Sequence, residues 1–261
     1  MKNAQTDLGV IAHNIANVET NGFKKSSTSF ADVVAASRLT DPRKIMGAGA
    51  TVDAIKQDFS LGAIEQSGGA LDMAIAGDGF FTTRSAETGS TLYTRNGAFT
   101  IDENGFIQDG DNNRLQTMPV DAGGALTSTV PQDTRIPAVN ANGAEFAGVT
   151  VGSDGRITAA YADGSVSVVG RVALASFIAP TGLKQVGSSN WETSGLSGPA
   201  QYGVPSSGQY GSLLAGALER SNVDIAEELV GLITAQRNFQ ANAKAIDTAT
   251  QISQTVINLR T

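Results

Sequence analysis

The chain has 261 residues, of which 41% are hydrophobic but only 6% aromatic and 16% charged, with 30 glycines and no cysteine. That length supports one or two cored domains, and the absence of cysteine excludes disulfides and thiolate metal sites. A formal charge of −7 argues against nucleic acid as a partner, because a binder needs a basic stripe to neutralise phosphates.

Along the chain, Leu8, Ile11, Ile15 and Val18 follow 3-4-3 spacing, which predicts a short amphipathic helix with a coiled-coil-like seam. It stops at "ETNGFKK", where Asn21-Gly22 suits a helix C-terminus or a tight turn. Residues 26–51 are rich in Gly, Ser, Ala and Pro and read as a linker.

Between about 50 and 179 the pattern becomes short alternating runs broken by Gly and Asp/Asn. "LDMAIAGDGFFTTR" alternates Leu71, Met73 and Ile75 before the turn Gly77-Asp78-Gly79, then resumes with Phe80 and Phe81. Asn96-Gly97 and Asn104-Gly105 read as hairpin turns. Further turns at Ser153-Asp154-Gly155 and Ala162-Asp163-Gly164 join three or four strands. Turn signals about every ten residues suit an all-β sandwich or barrel-like fold. A second Gly/Ser-rich stretch, 193–211, reads as another linker.

The last element is the longest. Apolar or small residues fall at Ile225, Leu229, Leu232, Phe239, Ala243, Ile246, Ala249, Ile252, Val256 and Leu259, with polar positions between them. Ser221, Asn222 or Asp224 offers an N-cap, and Glu227 and Glu228 complement the dipole of the first turn. A helix from about 224 to 259 would run roughly 50 Å at 1.5 Å per residue, and is expected to project beyond its own core.

The chemistry-bearing residues assemble into no catalytic constellation. His13 is the single histidine and has no partners in sequence for catalysis or ligation. "DGDNNRLQTMPV" starts like a calcium loop at Asp109, Asp111 and Asn113, yet Arg114 stands where glycine is needed and Val120 where the bidentate glutamate belongs. "GAGATV" lacks the third glycine and the strand-to-helix context of a dinucleotide fingerprint. No cofactor, metal or catalytic residue is therefore expected. No apolar run reaches the ~18 residues of a membrane span, and no n-region followed by an h-region marks a secretory signal. One non-enzymatic alternative is a surface module whose β body holds carbohydrate on Trp191, Tyr202 and Tyr210.

"LGVIAHNIANVETNGFKKSSTSFAD" (8–32) and "GALERSNVDIAEELVGLITAQRNFQANAKAIDTATQISQTVINLR" (216–260) resemble the termini of bacterial flagellar rod and hook proteins. "LDMAIAGDGFF" (71–81) and "YTRNGAFTIDENGFI" (93–107) resemble further hallmarks of that family, in the family's order. The resemblance implies a non-enzymatic axial subunit, mainly β with α-helical termini. The terminal helices (1–25 and 216–261) would pair as a coiled-coil inner domain, connecting regions would span 26–70 and 193–215, and a central all-β outer domain 71–192. It marks Asn21, Gly22, Phe23, Gly77, Asp78, Gly79 and Phe80 as motif turns. The helix-pairing and polymerisation seam would be Leu8, Ile11, Ile15 and Val18 against Ile225, Leu229, Leu232, Phe239, Ile246, Ile252, Val256 and Leu259.

The resemblance also implies partners: further copies in a helical homopolymer, the rod, hook cap and hook-filament junction proteins, and the flagellar export apparatus, with export needing no cleaved signal peptide. The ending "TVINLR", with "SFADVVAAS" and "IKQDFSLG", is most similar to a hook protein; room for a single outer β domain is closer to a distal rod protein. Family members usually begin several residues earlier than Met1.

Overall fold

The computed structural model describes residues 2–34, 47–121 and 123–258. Leu259, and residues 35–46 of the stretch 26–51 that reads as a linker, lie outside the described residues. Two compact units divide the chain: residues 1–18, 25–58 and 223–261 form one, and 19–24 with 59–222 the other.

The first unit contains α1 (Lys2–Ala16), an antiparallel hairpin of β1 (Ser26–Val34) and β2 (Gly47–Gln57), and α2 (Ile225–Asn258). The hairpin occupies part of the stretch that the sequence reads as a linker. Its side chains are mostly exposed, Phe30, Val33 and Val34 included, so the backbone ladder holds it together and the sequence lacks the buried alternation that signals a strand. α1 ends at Ala16, leaving Val18 in the turn that follows. α2 starts as expected: Asp224 Oδ1 accepts the backbone N–H groups of Ala226 (2.8 Å) and Glu227 (3.2 Å), the N-cap bonds that satisfy orphan donors of a first turn.

The second unit is built from antiparallel strands. These are β3 (Ile64–Gln66), β4 (Met73–Ala76), β5 (Phe80–Ser85), β6 (Thr91–Thr94), β7 (Thr100–Ile101), β8 (Ile107–Gln108), β9 (Asn113–Met118) and β10 (Gln132–Asp133). They continue with β11 (Phe146–Val151), β12 (Arg156–Tyr161), β13 (Val166–Val172), β14 (Leu174–Ser176), β15 (Lys184–Gly187), β16 (Asn190–Glu192), β17 (Gln201–Gly203), β18 (Ser212–Ala215) and β19 (Ala217–Glu219). The main path runs β11-β12-β13-β9-β5-β6-β16-β15, and two short ladders pair β18 with β4 and β19 with β3. The second expected linker, 193–215, is thus part of this unit, where β17 pairs β14.

Successive residues of a strand face opposite sides of a sheet, and the pair Phe80-Phe81 uses this. Phe81 joins the larger core with Met73, Ile75, Phe99, Ile107, Leu115, Leu174 and Leu213, whereas Phe80 joins a second cluster with Tyr93, Leu183 and Trp191. Trp191 is 1% exposed and Tyr202 holds the Tyr93 hydroxyl at 3.0 Å. The expected carbohydrate platform therefore fails at its central ring, since a buried indole cannot stack on a sugar.

The turns at Asn104-Gly105, 153–155 and 162–164 close hairpins as the sequence predicts. Asn96-Gly97 does not. Asn96 Oδ1 accepts the N–H of Ala98 (3.1 Å), and the carbonyl of Gly97 accepts the N–H of Met73 (3.0 Å). A Cβ on Gly97 would lie 1.7 Å from the Met73 carbonyl oxygen, so this glycine is there for close approach to β4. Asp109 is likewise a turn cap, accepting the N–H groups of Asp111 and Asn113 at 2.9 Å each.

Gly97→Ala is expected to lower the stability of the chain by more than about 2 kcal/mol, the range of severe backbone and packing defects, measured by denaturant unfolding. A loss near that of an exposed glycine-to-alanine change would contradict the close approach.

Candidate assembly surfaces and a buried charge cluster

Within the helical unit, α1 and α2 pack side by side, and only part of the predicted seam is covered there. On α2 the line of burial passes through Glu228 and Ala235, with Gly231, Leu232, Phe239 and Ala243 half-buried. Ile225 and Leu229 are both 45% exposed. On α1, Leu8, Ile11 and Ile15 are half-buried, as is Val18 in the turn beyond it, and the one fully buried residue of the helix is polar. That residue is Asn14, whose Nδ2 donates to the Ser26 carbonyl (2.8 Å) and to Glu228 Oε2 (3.1 Å), while its Oδ1 accepts the Ser26 N–H (2.9 Å).

Lys25 completes the network, with Nζ 2.9 Å from Glu228 Oε1 and 3.0 Å from Glu227 Oε2. Burial pulls the pKa of the Lys25 ammonium down, yet the hydrogen bonds it donates to Glu228 and then Glu227 outweigh it and hold its pKa above the usual lysine value. Glu228 thus does more than complement the helix dipole. A buried polar pin of this kind fixes the register of two helices better than a greasy seam, because a slip would strand its donors and acceptors.

The remainder of α2 is uncovered among the described residues. Every residue from Lys244 to Asn258 is exposed, including Ile246, Ile252, Val256 and Ile257. With Leu229, Val230 and Ile233 they leave a long run of uncovered aliphatic side chains. Apolar surface on this scale marks an interaction surface in soluble proteins.

The second feature lies in the β unit, where separated motif stretches converge. Lys24, following Asn21-Gly22-Phe23, and Glu219, ending β19, are both fully buried, with Nζ and Oε1 2.5 Å apart. Arg95, following β6, places Nη1 3.3 Å from Glu219 Oε2, and its side chain is 4% exposed. Lys24 also donates to the Ser60 carbonyl at 2.6 Å, and Glu219 Oε1 accepts the N–H of Gly62 at 3.0 Å.

Gly22, at φ 68°, lies against the backbone of Arg95 and Asn96, and its N–H donates to the Glu219 carbonyl at 2.8 Å. Phe23 is buried beside it in sequence. The turn Gly77-Asp78-Gly79 has φ near 128° and 126° at its glycines, a backbone that only glycine adopts readily, and delivers Phe80 beneath Arg95, whose Cζ is 5.2 Å from the ring centroid. Burial lowers the pKa of Arg95, while the charges of Glu219 and Asp78 oppose the shift. Burial also raises the Tyr93 hydroxyl well above the ordinary tyrosine range, helped by its bond to Tyr202.

Neither Lys24, Arg95 nor Glu219 stands out in the sequence, because single charges carry no periodic or spacing signal. Among the described residues no group of three or more His, Cys, Asp or Glu could hold a metal, and no helix is long and apolar enough to cross a membrane.

Removing one member of a buried ion cluster leaves an uncompensated charge, at a cost of about 3–5 kcal/mol, whereas replacing all members by apolar groups costs far less. Glu219→Ala is expected to show that loss in denaturant unfolding, and Lys24→Met/Arg95→Met/Glu219→Leu to recover most of it. A single variant as stable as the parent would contradict the triad's role.

Two family models match the chain: "Flagellar hook protein FlgE/F/G D1 domain" over residues 74–159 and "Flagellar basal body rod FlgEFG protein C-terminal" over 214–259. The flagellar basal-body rod protein FlgG of Bacillus subtilis is 35% identical, covering 100% of this chain and 96% of its own length. FlgG of Agrobacterium fabrum is 30% identical over 97% of this chain and 93% of its own. The flagellar hook protein FlgE of Escherichia coli is 26% identical, covering 98% of this chain and 97% of its own. With a relative 35% identical over the whole chain and both family models in agreement, the chain belongs to the flagellar rod and hook family, as a structural axial protein and not an enzyme.

Proposed function

We propose that the chain polymerises through α1 and α2 into the flagellar hook, the segment that passes motor torque to the filament. The observation that carries this reading is the uncovered aliphatic run on α2: a helix with no core of its own beyond Ala243 gains stability once neighbouring copies bury it, at about 25 cal/mol per Å² of apolar surface. Coiled-coil pairing along Ile225, Leu229, Leu232, Phe239, Ile246, Ile252 and Val256 belongs to that assembled state, with Leu8, Ile11, Ile15 and Val18 contributing from α1. Its neighbours would be further copies, the rod below, the hook cap during growth and the hook-filament junction above, after passage through the flagellar export apparatus.

A second reading, the distal rod, is favoured by length. The alignment with the Bacillus subtilis rod protein spans 272 positions, whereas that with the Escherichia coli hook protein spans 398, so the hook relative holds additional residues. The hook reading rests on "SNVDIAEELVGLITAQRNFQANAKAI" with "TVINLR", together with "SFADVVAAS" and "IKQDFSLG".

Immunogold electron microscopy of isolated hook–basal bodies, with antibody raised to the β unit, separates them. Gold along the curved segment outside the outer membrane is expected. Gold confined to the straight segment below it would make the chain a rod subunit.

A further inference from the structure

The chain holds four Asn-Gly pairs, at 21–22, 96–97, 104–105 and 142–143. An asparagine followed by glycine is open to an intramolecular reaction, because glycine has no side chain to hinder its own backbone nitrogen. That nitrogen must reach the asparagine Cγ, so the peptide between the two residues has to rotate out of its folded conformation. What fastens each pair therefore decides how fast it reacts.

Three of the pairs are fastened from outside their own turn. Gly22 is buried, its N–H donates to the Glu219 carbonyl at 2.8 Å, and Asn21 Oδ1 accepts from Arg220 Nη1 at 3.2 Å. Gly97 is buried with its carbonyl accepting the Met73 N–H at 3.0 Å. The Gly105 carbonyl accepts the Ile136 N–H at 2.7 Å, and the Asn104 carbonyl accepts from Arg135 Nε at 3.0 Å.

Asn142 and Gly143 are held differently. Both are exposed, and a Cβ placed on Gly143 would meet nothing within 4 Å. The Gly143 N–H donates to the Asn140 carbonyl at 3.0 Å and the Asn142 N–H to Asn140 Oδ1 at 2.9 Å, so both bonds close within the turn itself. The Asn142 side chain reaches Asp163, where hydrogen bonds from Ser165 foremost, then Asn140 and Asn142, hold the carboxyl at about 2, well below its ordinary range. Asp163 is exposed, and water competes for that last bond.

We propose that Asn142 is a self-modification site, converted to aspartate and isoaspartate by attack of the Gly143 nitrogen. The nitrogen gives up its proton to hydroxide and bonds to Asn142 Cγ. The Cγ–Nδ2 bond breaks, and Nδ2 leaves as ammonia with a proton taken from water. Water then opens the cyclic imide at either of its carbonyls. The reaction needs only the chain and water, and so does not depend on where in the flagellum the chain sits.

The product places a carboxylate where a hydrogen-bond donor faced Asp163, and two like charges at one site disfavour each other. Asn140 Nδ2 joins this turn to the next one through Asp163 Oδ2 and Ser165 Oγ, at 2.8 Å each. Both turns are therefore expected to loosen.

The full chain is aged at mildly alkaline pH and digested, and its peptides are analysed by mass spectrometry with isoaspartate resolved from aspartate. Asn142 is expected to convert about tenfold or more faster than Asn21 and Asn96, whose peptides react only when the fold opens, with Asn104 between them. Isoaspartate is expected among the products, because direct hydrolysis of the side chain yields aspartate alone. In denaturant the four rates are expected to converge, and in Asn142→Gln, whose ring would be one atom larger, conversion at 142 is expected to vanish. Conversion at another pair first, aspartate without isoaspartate, or the same order of rates in denaturant overturns the proposal. The loosening is read on Asn142→Asp: faster hydrogen–deuterium exchange at 140–144 and 162–165 than in the parent supports it, and unchanged exchange overturns it.

Discussion

The constraint behind this structure is a mismatch of lengths within one unit. α2 has 34 residues and α1 has 15, roughly 51 Å against 22 Å at 1.5 Å per residue. The β1–β2 hairpin packs against α1, and from Lys244 to Asn258 every described residue of α2 is exposed. An isolated helix of that length is marginal in water without tertiary support. Its aliphatic side chains therefore offer the surface that the proposed assembly would cover.

The polar groups at the start of α2 work in the opposite direction. Asn14, Glu228 and Lys25 hold the two helices and β1 in one register, which leaves the aliphatic positions free for contacts outside the subunit. The β unit uses the same device at greater depth. Glu219 gathers Lys24, Arg95 and the backbone of Gly62, drawing the segment after α1, the end of β6 and the segment before α2 into one site. Because a buried charge tolerates few alternatives, that site selects a single arrangement of three distant parts of the chain.

Much of this was legible in the sequence, for reasons that can be named. The long helix was visible through its spacing and its cap at Asp224, and the hairpins at 104–105, 153–155 and 162–164 through their glycine turns. The hairpin of β1 and β2 was not, because its exposed faces carry no alternation. Asn96-Gly97 misled because a glycine serves close packing as readily as a turn. The face of α2 used within the subunit was legible only in part: hydrophobic spacing marked Leu232 and Phe239, which are half-buried, but also Ile225 and Leu229, which are exposed, while full burial falls on Glu228 and Ala235. The charge cluster left no local trace, since Lys24, Arg95 and Glu219 meet only through the fold.

The most direct measurement of the central claim is hydrogen–deuterium exchange of the dilute chain compared with its polymer. Residues 244–258 are expected to exchange rapidly in the dilute chain and to become strongly protected in the polymer, while the central strands β5 and β9 stay protected in both. Protection of 244–258 already in the dilute chain, or its absence in the polymer, would contradict the claim that this helix is completed by neighbouring copies.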